Sequence, residues 1–276
     1  MYHLVSFELK PKMQLEKSML LISIDIDVGS KLLGIVNEGK NDANVHDFLT
    51  ESAIGKIEEV ALPIFVNLFE NIGMPVTFAI RGQMVNVDST TLELLLDSSV
   101  RHDIGSHGFF HRRFETLSYE EAETELSLLS KALKRFDVTP RSFIFPKNSV
   151  AHLNLLEKYG YKCYRSKGNF MLDSMRIEKH GKLYNVCPSL FLDQSINSMF
   201  LEKILDVAVE KRAPLHFWFH LWNFGTTEES IRGSVNRTIL PLLKHAEEKV
   251  NSGLLTFETM LSAAKKIEAV SSSRVN

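Results

Sequence analysis

Leu20-Leu21-Ile22-Ser23-Ile24-Asp25-Ile26-Asp27 decides how the rest of this chain is read. An apolar run of strand length closes on two carboxylates, and on a strand residues i and i+2 point to the same face, so Asp25 and Asp27 stand side by side. Much later, after a second short run ending in Gly105-Ser106, the chain offers His107-Gly108-Phe109-Phe110-His111. Two imidazoles and one carboxylate are a common ligand set for zinc or ferrous iron, leaving coordination positions open for water and substrate. A second carboxylate beside the first, not itself a ligand, is placed to take a proton from such a water.

Short apolar runs alternate with amphipathic stretches over most of the length, the pattern of an α/β domain with a mainly parallel sheet. Strands are expected at 20–26, 75–80, 103–106, 142–145, 162–164, 183–186, 215–220 and 254–257. Helices are expected at 54–71, 90–98, 150–159, 200–211 and 258–267, with one from 228 to 250 interrupted or kinked at Pro241. Ser118, with Glu121 three residues on, reads as the N-cap of a further helix running to Phe136. With seven or eight strand–helix units in series and no Gly-, Ser- or Pro-rich linker, residues 1–276 are expected to form a single catalytic domain, a distorted (β/α) barrel. In such barrels the chemistry sits at the C-terminal ends of the strands. Asp25, Asp27, Arg81, His107, Pro146 and His220 all fall at predicted strand C-termini.

Composition narrows the function classes. The 276 residues are 44% hydrophobic, enough for a full core, and the net charge is -2 from 32 basic and 34 acidic side chains. No long run of either sign gives the footprint of a nucleic-acid or membrane-surface binder. No stretch reaches the roughly 20 apolar residues of a membrane span, and Met1 to Lys17 lacks the pattern of a signal peptide. A cytoplasmic location is therefore expected, with Cys163 and Cys187 as free thiols. Oligomeric state leaves no legible trace.

With these residues placed, the chain resembles the polysaccharide deacetylase superfamily, metal-dependent carbohydrate esterases that include chitin-oligosaccharide and peptidoglycan deacetylases. The similarity runs from about Leu20 to His220. Ser23-Ile24-Asp25-Ile26-Asp27 matches the family's first motif, and the resemblance implies that Asp25 is the base and Asp27 a metal ligand. His107-Gly108-Phe109-Phe110-His111 matches the second motif and implies two further ligands. Leu215-His216-Phe217-Trp218-Phe219-His220 looks like the late motif, with His220 in the position that protonates the leaving group. One motif departs. Relatives carry an arginine two residues before a proline, and that arginine orients the base; here Pro146 is kept but Ile144 occupies the arginine's place. A cation must then come from elsewhere, and Arg81 and Lys147 are the candidates. The tryptophan-containing fourth motif is not clearly present, although Tyr164-Arg165 falls in about its region.

The expected reaction is hydrolysis of an N-acetyl group from an amino sugar or glycan intermediate, releasing acetate, with a divalent metal as cofactor. Zinc is the default, and cobalt, nickel or iron suit the same ligands. A non-sugar C–N hydrolase acting on a cyclic amide or ureide, and a catalytically silent carbohydrate-binding protein, are the rival readings. His216 reads as a core histidine with both nitrogens satisfied. Among Phe217, Trp218, Phe219 and Trp222, only Trp222 lies beyond the strand, where it is placed to meet a sugar. The long polar connection from Val28 to Ala53 is either a substrate-recognition lid or a solvated insertion.

Overall fold

The two faces of the strand β1 (Ser18–Ile26) meet different partners, although the whole strand is buried. Leu20, Ile22, Ile24 and Ile26 pack into the larger apolar cluster with helix residues such as Phe65, Phe69 and Leu243. Met19 and Leu21 instead join Ala79, Ile144, Cys163, Tyr184, Met260, Ala263 and Ile267. Strand alternation thus sends even-numbered residues toward the helices and odd-numbered ones into the barrel, and Ser23, Asp25 and Asp27 continue the inward series. The computed structural model describes residues 15–27, 57–168, 174–225 and 227–273. The connection from Val28 to Ala53 lies outside the described residues.

The remaining strands are β2 (Thr77–Ile80), β3 (Asp103–Ser106), β4 (Ser142–Ile144), β5 (Cys163–Arg165), β6 (Ile177–His180), β7 (Leu183–Val186), β8 (Leu190–Phe191), β9 (Pro214–His220) and β10 (Leu255–Glu258). The sheet order is β6-β7-β5-β4-β3-β2-β1-β9-β8. Pairings are parallel except for the β6–β7 hairpin. One edge of β1 serves two strands in succession, Ser18 to Leu21 pairing with β10 and Ser23 to Ile26 with β2. Among the described residues ten strands replace the seven or eight expected, because the stretch between Lys162 and Asp193 also supplies β6 and the two-residue β8. Among the described residues no pairing joins β6 to β8, so the distorted barrel is a half-barrel, open on that side.

The helices are α1 (Leu62–Ile72), α2 (Gly82–Val87), α3 (Thr90–Leu96), α4 (Tyr119–Lys134), α5 (Leu153–Lys158), α6 (Ser198–Glu210), α7 (Glu228–Asn251) and α8 (Met260–Ser273). A π-helical turn, Ile57–Ala61, precedes α1, and Gly73 ends it in the left-handed region at φ 66°. The helix α5 starts three residues later than expected, because His152 takes a left-handed backbone (φ 54°). Pro241 does not interrupt α7, which runs through it with Ile239, Leu242 and Leu243 buried on the core side. α8 plugs the N-terminal mouth, and its first residue is tied down where Met260 N donates to Thr77 Oγ1, itself a donor to the buried Asp103. That leaves the C-terminal mouth for chemistry.

Candidate active site

At the open mouth, Asp27 just past β1 and His107 and His111 just past β3 bring one ligand atom each to within 4.8 Å of one another. The Nε2 atoms of His107 and His111 lie 3.1 Å apart, and Asp27 Oδ2 is 3.2 Å from the second and 4.0 Å from the first. His107 Nδ1 is 2.9 Å from the carbonyl oxygen of Ile144, which only accepts, so Nδ1 carries the hydrogen and Nε2 presents its lone pair to the cluster. Burial pulls the His107 imidazole down to about 4 and keeps it neutral, the state in which it ligates. Asp27 Oδ1 is buried without a hydrogen-bond partner, a costly arrangement unless a cation takes it up. Burial also raises the Asp27 carboxyl, but its contacts with His220 and His111 outweigh this and hold it well below the usual carboxylate range. One ionised carboxylate and two imidazole nitrogens brought this close fit a divalent metal.

Asp25 stands on the same face with a different partner. Arg165, at the end of β5, meets it in a bidentate fork, Nη1 to Oδ1 at 2.7 Å and Nη2 to Oδ2 at 2.6 Å. Both side chains are almost fully buried. Burial pushes the Asp25 carboxyl up, and the Arg165 guanidinium beside it reverses this and holds it ionised. Beyond Asp25, Arg165 is held from two further sides. Its Nη1 donates to Ser23 Oγ at 3.0 Å, its guanidinium lies over the Trp218 ring at 4.3 Å, and Ser23 Oγ is 2.8 Å from His216 Nε2. His216 Nδ1 is 3.2 Å from the carbonyl of Val186, so it donates there and accepts from Ser23. The expectation of a satisfied core histidine describes His216, and its place behind Ser23 and Arg165 is what that expectation left out.

His220, the register partner of Asp25 across β1–β9, places Nε2 3.8 Å from Asp25 Oδ2 and 3.9 Å from Asp27 Oδ2. Asn223 Oδ1 accepts from the backbone N–H of His220 at 2.7 Å and faces its Nδ1 at 3.1 Å, so Nδ1 donates and Nε2 is turned into the site. Trp222 stacks on the imidazole at 4.2 Å and 27°. One face of this ring, predicted to meet substrate, is therefore occupied by His220. Phe217 and Phe219 are fully buried core residues.

Two expectations are corrected. Arg81 does not orient Asp25; it is buried and donates to Gln83 Oε1 at 2.6 Å. Lys147 does not supply the cation either, since Arg165 holds both Asp25 oxygens. Ile144 and Arg165 are Cα partners across β4–β5. The guanidinium reaches Asp25 from one strand over at the same height in the barrel.

A family model described as polysaccharide deacetylase matches residues 56–164. Among solved structures, one from Mycobacterium smegmatis described as a polysaccharide deacetylase is similar at TM-score 0.70 and 14% identity, with 95% of this chain and 93% of that one covered. Residues 56–164 thus match the polysaccharide deacetylase family model, and the chain as a whole shares the fold of these structures. A Pseudomonas aeruginosa PAO1 structure described in the same words aligns at TM-score 0.63 and 12% identity, covering 90% of each chain. Puue allantoinase aligns at TM-score 0.64 and 11% identity over 91% of this chain and 90% of that one. A comparison with curated proteins found no match. The first two motifs and the late histidine converge at one site in this chain, and Arg165 reaches Asp25 from β5 rather than from the place that Ile144 occupies. The parts that Arg165, Ser23, His216 and Asn223 play around Asp25 and His220 escaped the reading of motifs. Strand parity places Ser23 with Asp25 and His216 with His220, and Arg165 is a charge ending an otherwise uncharged strand; Asn223 has no such signal.

Proposed function

We propose that this protein is a metal-dependent hydrolase that removes an N-acetyl group from an amino sugar or glycan intermediate and releases acetate. The observation that carries this reading is the bidentate Asp25–Arg165 pair beside the Asp27–His107–His111 cluster, an ionised, oriented base next to a metal-competent donor set. A divalent metal, zinc by default, would be held by Asp27, His107 and His111 and would supply Lewis acidity at the scissile carbonyl. Asp25 accepts a proton from the attacking water, and Arg165 keeps that carboxylate ionised and aimed. His220, turned by Asn223 so that Nε2 faces the two aspartates, delivers a proton to the departing nitrogen. The buried surroundings of Asp25 limit competing hydrogen bonds from bulk water.

A non-sugar C–N hydrolase is the second reading, because the same scaffold carries a protein described as an allantoinase. The products separate the two. The metal-loaded protein is assayed for acetate release from N-acetylated monosaccharides, oligosaccharides, nucleotide sugars and lipid-linked sugars, with Asp25→Asn in parallel. Acetate release that falls at least about 100-fold in Asp25→Asn at unchanged metal content supports the deacetylase. No acetate from any member of the panel, with metal bound, transfers the assignment to the cyclic-amide or ureide hydrolase.

A further inference from the structure

The turn between the two histidine ligands has no ladder of its own. His107 N donates to Ile80 O at 3.0 Å, while Gly108 O and Phe109 O accept from Gly82 and Gln83 at the start of α2, at 3.0 and 3.1 Å. The N–H groups of Phe109 and Phe110 turn instead to a side chain. Both donate to one atom, Glu125 Oε2 of α4, at 2.6 and 2.8 Å. The backbone they hold passes twice through the left-handed region, freely at Gly108 (φ 70°) but with strain at His111 (φ 61°), and a non-glycine residue keeps such a conformation only where its surroundings over-determine it. Space is also tight, since a Cβ on Gly108 would meet Pro146 Cγ at 3.2 Å and Glu125 Oε2 at 3.4 Å. Glu125 is 1% exposed. Burying a carboxylate there is costly, and an apolar helix face packs as well without one.

We propose that Glu125 is a positioning residue for the metal: its carboxylate templates the His107–His111 turn and thereby sets the affinity and geometry of the Asp27–His107–His111 site. The inference rests on the metal reading of that cluster and on no assumption about substrate. Its test is competition titration of zinc against a chromophoric chelator, together with the visible absorption spectrum of the cobalt(II) form, on wild type, Glu125→Gln, Glu125→Asp and Glu125→Ala. Melting of each metal-free protein serves as the folding control. The glutamine oxygen can accept the same two hydrogen bonds, so Glu125→Gln keeps zinc affinity near that of wild type and an unaltered cobalt spectrum. The aspartate keeps the charge but falls one methylene short; it and the alanine variant lose about 10- to 100-fold in affinity, with a changed cobalt spectrum. Should Glu125→Ala fail to fold, Glu125→Asp carries the comparison. Wild-type affinity and spectrum in Glu125→Asp, with only the melting temperature lowered, would reduce Glu125 to a helix–loop staple and overturn the proposal. A wild-type protein that binds neither metal overturns the metal reading itself, and this inference with it.

Discussion

Arg165 and Asp25 form a buried ion pair whose two members are held to different standards. Removing one partner of such a pair leaves an uncompensated charge and costs about 3–5 kcal/mol, whereas removing both is often close to neutral. Arg165→Met in the metal-free protein is therefore expected to lose stability on that scale, and Asp25→Asn added to it to recover most of the loss. Urea unfolding of the two variants checks this, and a double variant as unstable as the single one would mean that the pair contributes little. Arg165→Lys keeps the charge but not the fork. Once a substrate is known, kcat for Arg165→Lys should fall about 100-fold with KM nearly unchanged, the signature of a misaimed base rather than lost binding. At this scale Asp25, Asp27, His107, His111 and His220 were legible because each sits in a short motif with a chemical reason for its spacing. Arg165 was not, because its meaning comes from a partner 140 residues away.

Helix α4 shows how far local rules reach at the scale of an element. Ser118 accepts from the N–H of Glu121, whose side chain returns to the N–H of Ser118, the reciprocal capping box expected from four residues of sequence. Ser118→Ala should cost about 1 kcal/mol, read as a lower thermal midpoint. Because α4 also carries Glu125 under the metal-binding turn, the same variant should weaken zinc binding far less than Glu125→Asp does, since helix stability and turn geometry are separate properties. The α7 helix departs from its local rule. Proline inside a helix removes a hydrogen bond and crowds the preceding turn, yet the buried side chains on either side of Pro241 keep the helix in one piece. Packing along a 24-residue helix outweighs a defect at one position.

Across the whole molecule, the inward residues form levels. Met19, Leu21 and α8 make an apolar floor, Ser23, His216 and Arg165 a polar middle, and the aspartates with three histidines the mouth. Such a stack has a pH signature. Burial pulls His102 down to about 4, and burial and then Arg165 pull His216 down to about 3. Both are neutral in the fold but protonate at about 6.5 in the unfolded chain, so the unfolded state takes up protons first as the pH falls. Stability from these groups is complete above about pH 7 and is lost from about 6.5 down to about 4 for His102 and about 3 for His216. The metal-free protein should melt at a constant temperature from pH 8 to 7 and progressively lower below that, and His102→Gln should flatten part of the slope. A flat profile down to pH 5 would contradict the buried neutral state of these rings. What the sequence determined by itself was whatever depends on near neighbours along the chain: strand parity, helix caps, the two ligand motifs and the alternation that makes a parallel half-barrel. Only the tertiary structure decided which cation holds Asp25, what lies behind it, and what clamps the histidine turn. Those contacts are set by sheet register and by the docking of α4, where each partner is selected by position in space and leaves no pattern in sequence.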